Sequence, residues 1–215
     1  MKWVCALLLI GAAGAASAQS AEDQPAEDQR GFYIGANAGV ASYPGRPRIV
    51  LGDFTLHAAK MHEDDLSWSV IGGYRFGKHF ALEAGYLDLG EATAEFVDSG
   101  GSDLRTDLRW GARGETISAL VLFPIGQRWE PYLKLGALRQ NVDLRLDGTQ
   151  SGTPFRLSSS ADRELKLYWG TGVNYRFDSH WKASLGVDFF SDLGDADRTG
   201  RARIRSTFLG ISYRF

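Results

Sequence analysis

The sequence predicts an all-β fold, an eight-stranded antiparallel up-and-down barrel that spans a membrane. Three observations predict it. Eight segments carry bulky apolar residues at every second position, the period of a strand with two different faces. The face opposite those residues is dominated by glycine and serine, and the chain holds 26 glycines. Aromatic residues gather at one end of every segment, where rings at a common depth form a membrane-interface girdle.

The segments follow in order. "GFYIGANAGVA" sets Phe32, Ile34, Ala36, Ala38 and Val40 against Tyr33, Gly35, Asn37 and Gly39. "LSWSVIGGYRF" sets Trp68, Val70, Tyr74 and Phe76 against Ser69, Gly73 and Arg75. "HFALEAGYLDLG" opposes Phe80, Leu82, Ala84 and Tyr86 to Glu83 and Gly85. The fourth, "ETISALVLFPI", aligns Ile117, Ala119, Val121 and Phe123, but Leu120 and Leu122 blur its alternation. "WEPYLKLGALRQ" opposes Trp129, Leu133, Leu135 and Ala137 to Tyr132, Lys134 and Gly136. "ELKLYWGTGVNYRF" is the clearest, Leu165 to Phe177 alternating with Lys166 to Arg176. "HWKASLGVDFF" sets Trp181 to Phe189 against Lys182, Ser184, Gly186 and Asp188, and "FLGISYRF" closes the set.

Tight turns at Gly77-Lys78, Gly126-Gln127-Arg128 and Asp178-Ser179 alternate with long polar connections near 42–65, 91–114, 140–163 and 191–203. One end therefore carries short turns and the other long loops. Ahead of the strands, residues 1–18 read as a cleaved signal peptide: Lys2, an apolar stretch from Val4 to Ala16, and the small-residue pattern Ala16-Ser17-Ala18. Residues 19–30 are polar and acidic and read as a disordered linker, leaving 31–215 as the barrel domain. Cys5 lies in the signal, so the exported chain has no disulfide. The net charge of -2 and the lack of a basic stripe give no reason to expect nucleic acid as a partner.

A soluble sandwich would bury the apolar face, whereas a membrane barrel turns it outward to lipid. Residue size decides between them. Glycine weakens a strand and has no steric use on a solvated surface, but the interior of eight strands is only wide enough for packed side chains. In lipid no strand edge can stay unpaired, so the last strand must close on the first.

The pattern resembles the OmpA-like eight-stranded outer-membrane barrels, which include opacity-type surface antigens. "GFYIGANAGVA" after a signal and linker, and the terminal strand ending "SYRF", carry the likeness over roughly 31–215. The resemblance implies an outer-membrane location, short turns toward the periplasm and long loops outside. It also implies that the assembly machinery reads the terminal aromatics Phe215 and Tyr213. The sequence shows no additional C-terminal peptidoglycan-binding domain of the sort some members carry, so the barrel alone is expected.

Inward positions include Arg75, Glu83, Lys134, Lys166, Arg176, Lys182, Asp188 and Arg214. Charges in a narrow lumen require partners. Glu83 is expected to pair with Lys134, and Asp188 with Lys166 or a neighbour. The network either plugs the lumen or lines a narrow ion path. The interface aromatics are Phe32 or Tyr33, with Phe76, Phe80, Phe123, Trp129, Phe177, Trp181 and Phe215.

No catalytic or metal-ligating set is expected, and no cofactor. His57 and His62 have no ligand spacing, while His79 and His180 flank short turns. "DADRTG" (195–200) copies half of a calcium loop but has Ser206 where the twelfth-position glutamate belongs. The expectation is a non-enzymatic surface protein acting through its loops as a structural element, adhesin or antigen, with a small porin-like channel as the alternative and a lipid-modifying enzyme more remote. Its partners would be outer-membrane lipid and lipopolysaccharide, the assembly machinery, and a host or cell-surface ligand. Leu104, Leu108, Trp110, Leu144, Leu146 and Phe155 give the loops apolar handles, unless the strands run past the membrane.

Overall fold

The computed structural model describes residues 30–43, 50–51, 54–55, 60–62, 64–97, 105–150, 153–193 and 202–215. The signal peptide, nearly all of the linker, His57, Leu104 and the "DADRTG" turn lie outside them. Eight long strands make the wall: β1 (Gly31–Ser42), β2 (Asp64–Arg75), β3 (Phe80–Val97), β4 (Arg105–Leu122), β5 (Trp129–Gln150), β6 (Thr153–Arg176), β7 (Trp181–Leu193) and β8 (Ala202–Arg214). Short segments at Val50–Leu51, Phe54–Thr55 and Lys60–His62 stand between β1 and β2, the last pairing with Thr93 to Glu95 of β3.

Each strand pairs antiparallel with its neighbour in sequence, and β1 pairs with β8 from Tyr33↔Arg214 to Ser42↔Arg205, so the sheet closes. The row of partners leaving Phe32 runs through Tyr74, Leu82, Ala119, Leu135, Trp169, Phe189 and Arg205. It returns to β1 at Ser42, ten residues from where it began. A stagger of that size in eight strands tilts them by about 41° and gives a backbone radius of about 8 Å. Side chains alone can fill so narrow a tube.

The faces divide as the alternation requires. Ile34, Leu82, Leu135, Leu165, Leu167 and Leu209 are exposed on the outer wall, whereas Ser67, Ser118, Gln140, Asn174 and Ser212 are buried inside. Phe32 is exposed and belongs to the girdle, while Tyr33 points inward and is 6 % exposed. Phe32, Phe76, Phe80, Phe123, Trp129, Phe177, Trp181 and Phe215 are all exposed, and the stagger and tilt place them within about 6 Å of one height. Leu120 and Leu122, which blurred the fourth alternation, are lumen residues packed with Tyr33, Ala81 and Tyr132.

The short turns are tightly bonded. Asp178 caps one of them, its Oδ1 accepting the N–H groups of His180 and Trp181 at 2.7 and 2.8 Å, which holds its carboxyl below the usual range. Gly126 turns the chain between β4 and β5 with φ +63°.

At the opposite end the structure corrects the sequence reading. The stretches 91–114 and 140–163, expected as loops, are largely strand: β3 reaches Val97, β4 starts at Arg105, and only 151–152 separate β5 from β6. Above the membrane both faces of a strand meet polar surroundings except where the interior continues, so the mean composition looks like loop. Four of the apolar handles lie on the interior side of the wall. Leu108 and Trp110 are buried, Leu144 and Leu146 are half-buried, and Leu144 packs on the cluster that includes Trp110. Bulges at Asp88/Glu91, with Gly90 at φ +72°, and at Gln140/Asn141 bend this taller wall.

Candidate functional site: a filled, charge-paired lumen

Three layers occupy the tube. Nearest the short turns, Glu130 accepts from Arg75 at 2.6 Å, from Arg176 at 3.4 Å and from Asn174 at 3.1 Å. Arg75 also donates to the carbonyls of Gly77 and Lys78, tying the layer to the β2–β3 turn. Lys182 sets its ammonium 4.9 Å from the centre of the Tyr33 ring. Glu130 was absent from the charges expected inside. The signal was available, since Glu130, Tyr132, Lys134 and Gly136 share one face by simple alternation.

In the middle layer the Lys134 ammonium stands between two carboxylates, 3.9 Å from Glu83 and 3.4 Å from Asp188. The Tyr33 hydroxyl donates to Glu83 at 3.0 Å. The structure thus brings Glu83 and Lys134 together, but it pairs Asp188 with Lys134 and not with Lys166. Register is the reason. Lys134 and Asp188 both stand opposite Gly170, on its two sides, whereas Lys166 lies four residues further along β6. Lys166 instead meets Glu164 at 2.7 Å.

Gly170 is what lets that row close, because a Cβ there would overlap the Asp188 carboxylate. The device recurs. Tyr33 lies across Gly73 to reach Glu83 in one row, and Tyr132 and Phe208 meet over Gly172 and Gly186 in another. Large inward side chains lie flat on a neighbouring strand that carries only hydrogen. Replacing Tyr33 with phenylalanine keeps this packing but removes the donor to Glu83, and is expected to cost about 1–2 kcal/mol in urea unfolding from lipid vesicles.

The third layer, toward the taller wall, is mainly apolar, with the buried Ser67 and Ser206 hydroxyls bonded to each other at 3.0 Å. Leu87, Leu89, Leu138, Val142, Tyr168, Phe190 and Ile204 are buried together, with Tyr168 and Phe190 stacked at 4.9 Å. Two cavities within the tube are small, about 40 Å³ beside Arg75, Arg176 and Lys182, and about 20 Å³ beside Glu83 and Lys134. Such volumes have room for only a few water molecules.

A closed eight-stranded wall with an apolar exterior and a filled polar lumen defines an outer-membrane β-barrel protein. The family model described as OmpA-like transmembrane domain matches residues 26–215, and the chain belongs to that family. It is similar to outer membrane protein A of Serratia marcescens, 27% identical over 218 residues that cover 100% of this chain and 56% of the relative. It is also similar to outer membrane protein P5 of Haemophilus influenzae, at 25% identity over 100% of this chain and 60% of the relative. The chain therefore spans little more than half the length of these relatives. Among solved structures, OprG of Pseudomonas aeruginosa shares the fold with a TM-score of 0.51 and 14% identity, over 89% of this chain and 99% of that one.

Proposed function

We propose that the protein is a non-enzymatic surface protein of the outer membrane, in which a sealed barrel serves as a rigid pedestal for strands and connections displayed outside the cell. The observation that carries this reading is the apolar layer around Leu138, Tyr168 and Phe190. A polar path through the lumen would have to cross it, and below it Arg75, Arg176 and Glu130, and Lys134, Glu83 and Asp188, are paired with one another. The displayed part is the wall made by β3 to β6, whose strands of 18, 18, 22 and 24 residues exceed the roughly 9–11 needed to cross the bilayer. On such a wall, recognition of a cell or host surface would reside in the tips, since a scaffold fixes them while their sequence is free to vary. Recognition of Tyr213 and Phe215 by the assembly machinery rests on the family likeness.

Two measurements test the proposal. Purified protein in planar bilayers is expected to give no unitary conductance, and discrete channel openings would favour the porin-like alternative. Shortening the β5–β6 hairpin above Asn141 is expected to abolish attachment of expressing cells to host-cell layers, with barrel folding retained. Unchanged attachment would remove the adhesin role from that wall.

A further inference from the structure

Lys182 is a lumen cation to which the fold gives no counter-charge. Its side chain is half-buried at the short-turn end of β7, and its ammonium has no ion-pair or hydrogen-bond partner among the described residues. Arg75 and Arg176 beside it both reach Glu130, so that carboxylate serves them rather than Lys182.

Sheet register sharpens the deficit. Lys182 stands directly opposite Arg176 on one side and Ser212 on the other, with Gly35 next along the row. Like charges facing each other across two strands repel. The other polar groups nearby are engaged elsewhere or carry no negative charge. Tyr33 presents its ring at 4.9 Å, and its hydroxyl donates to Glu83, which faces Lys134. Ser184 donates to Asn174, and Asp178 at the rim turns its Oδ1 to the N–H groups of His180 and Trp181.

Two cavities meet at this side chain. The one of about 40 Å³ is lined by Tyr33, Arg75, Arg176, Lys182, Ser212 and Arg214, and the one of about 20 Å³ also touches Lys182 and Ser212. The larger extends to the β6–β7 turn at Asp178 to His180, which places it at the short-turn mouth of the tube. A space of that size takes a few particles the size of water.

We propose that the larger cavity binds a small inorganic anion of chloride size, held by the Lys182 ammonium and the Ser212 hydroxyl and flanked by the Arg176 guanidinium. Ammonium and hydroxyl groups both donate to such an ion, and a charge drawn into a narrow lumen without a partner is costly enough to take one from solution. The ion is a resident counter-charge and does not permeate, because the mainly apolar layer around Leu138, Tyr168 and Phe190 closes the tube beyond the charged layers. This site goes beyond the display role proposed above and holds whether or not the outer wall binds a surface.

The test melts the full chain, refolded in phosphatidylcholine vesicles, in potassium chloride and in potassium gluconate at equal ionic strength. Gluconate is too bulky for the cavity. Chloride is expected to raise the melting temperature by about 2–4 °C in a saturable way. Lys182→Met should melt at one temperature in both salts. Lys78→Gln, exposed on the β2–β3 turn, should keep the native response. In crystals of the native chain soaked in bromide, an anomalous peak is expected within about 3.5 Å of Lys182 Nζ. The proposal is overturned if Lys182→Met responds to chloride like the native chain, if the two salts act equally on the native chain, if Lys78→Gln abolishes the response, or if no bromide stands at Lys182. The bromide map decides the matter should Lys182→Met fail to refold.

Discussion

Replacing Lys134 with methionine is expected to destabilise the barrel by about 3–5 kcal/mol, the largest effect of any single charge removal in the lumen. Methionine nearly matches the side chain in volume, so packing is little altered. Electrostatics is not: Glu83 and Asp188, with side chains 8 % and 12 % exposed, would be left facing each other without the cation between them. The ammonium also sits 5.2 Å from the centre of the Phe208 ring, and methionine offers that ring no positive charge. Removing the whole set tells charge from packing. Lys134→Met combined with Glu83→Gln and Asp188→Asn should recover most of the loss, because it is the uncompensated carboxylates that are costly, and a neutral set of similar shape is not. Urea unfolding in lipid vesicles, followed by tryptophan emission, reads both variants. A single variant within about 1 kcal/mol of the native chain would mean that the middle layer is hydrated and screened.

The second large effect is expected at Gly39, on the seam where β1 closes on β8. A Cβ at this position would overlap the Thr207 carbonyl oxygen and stand 2.7 Å from the Phe208 Cα. These are backbone atoms of the neighbouring strand, so no side-chain rotation relieves the overlap and the seam itself must move. Gly39→Ala is expected to cost about 3 kcal/mol or more and to slow refolding into vesicles. Gly72→Ala is the control. Gly72 faces outward with no atom within 4 Å of an added Cβ, and alanine there should be neutral or slightly stabilising. Equal behaviour of the two variants would contradict the tight closure at Gly39.

The tube wall was legible in the sequence because period-two alternation is local. Each strand states its own two faces, and glycine on one of them states how narrow the enclosed space is. That reasoning led to eight strands, to the closing pair, and to Arg75, Glu83, Lys134, Arg176 and Asp188 as inward residues. It was weaker where both faces are alike. The upper halves of β3 to β6 read as loops because their outer residues meet water, and Leu120 with Leu122 read as noise because inward leucines packed on Tyr33 and Tyr132 cancel the contrast between faces.

The partners inside the lumen followed a different logic. Alternation placed Asp188 and Lys166 on the same side of the wall, yet Asp188 meets Lys134 across Gly170, and Glu130 gathers Arg75 and Arg176 from two other strands. The sequence by itself determined which residues face inward, how many strands there are, and that the sheet must close. Only the tertiary structure decided which inward residues meet, because contact across a barrel depends on the ten-residue stagger that accumulates around the closed ring. That stagger is a property of the closed ring and is written in no single strand.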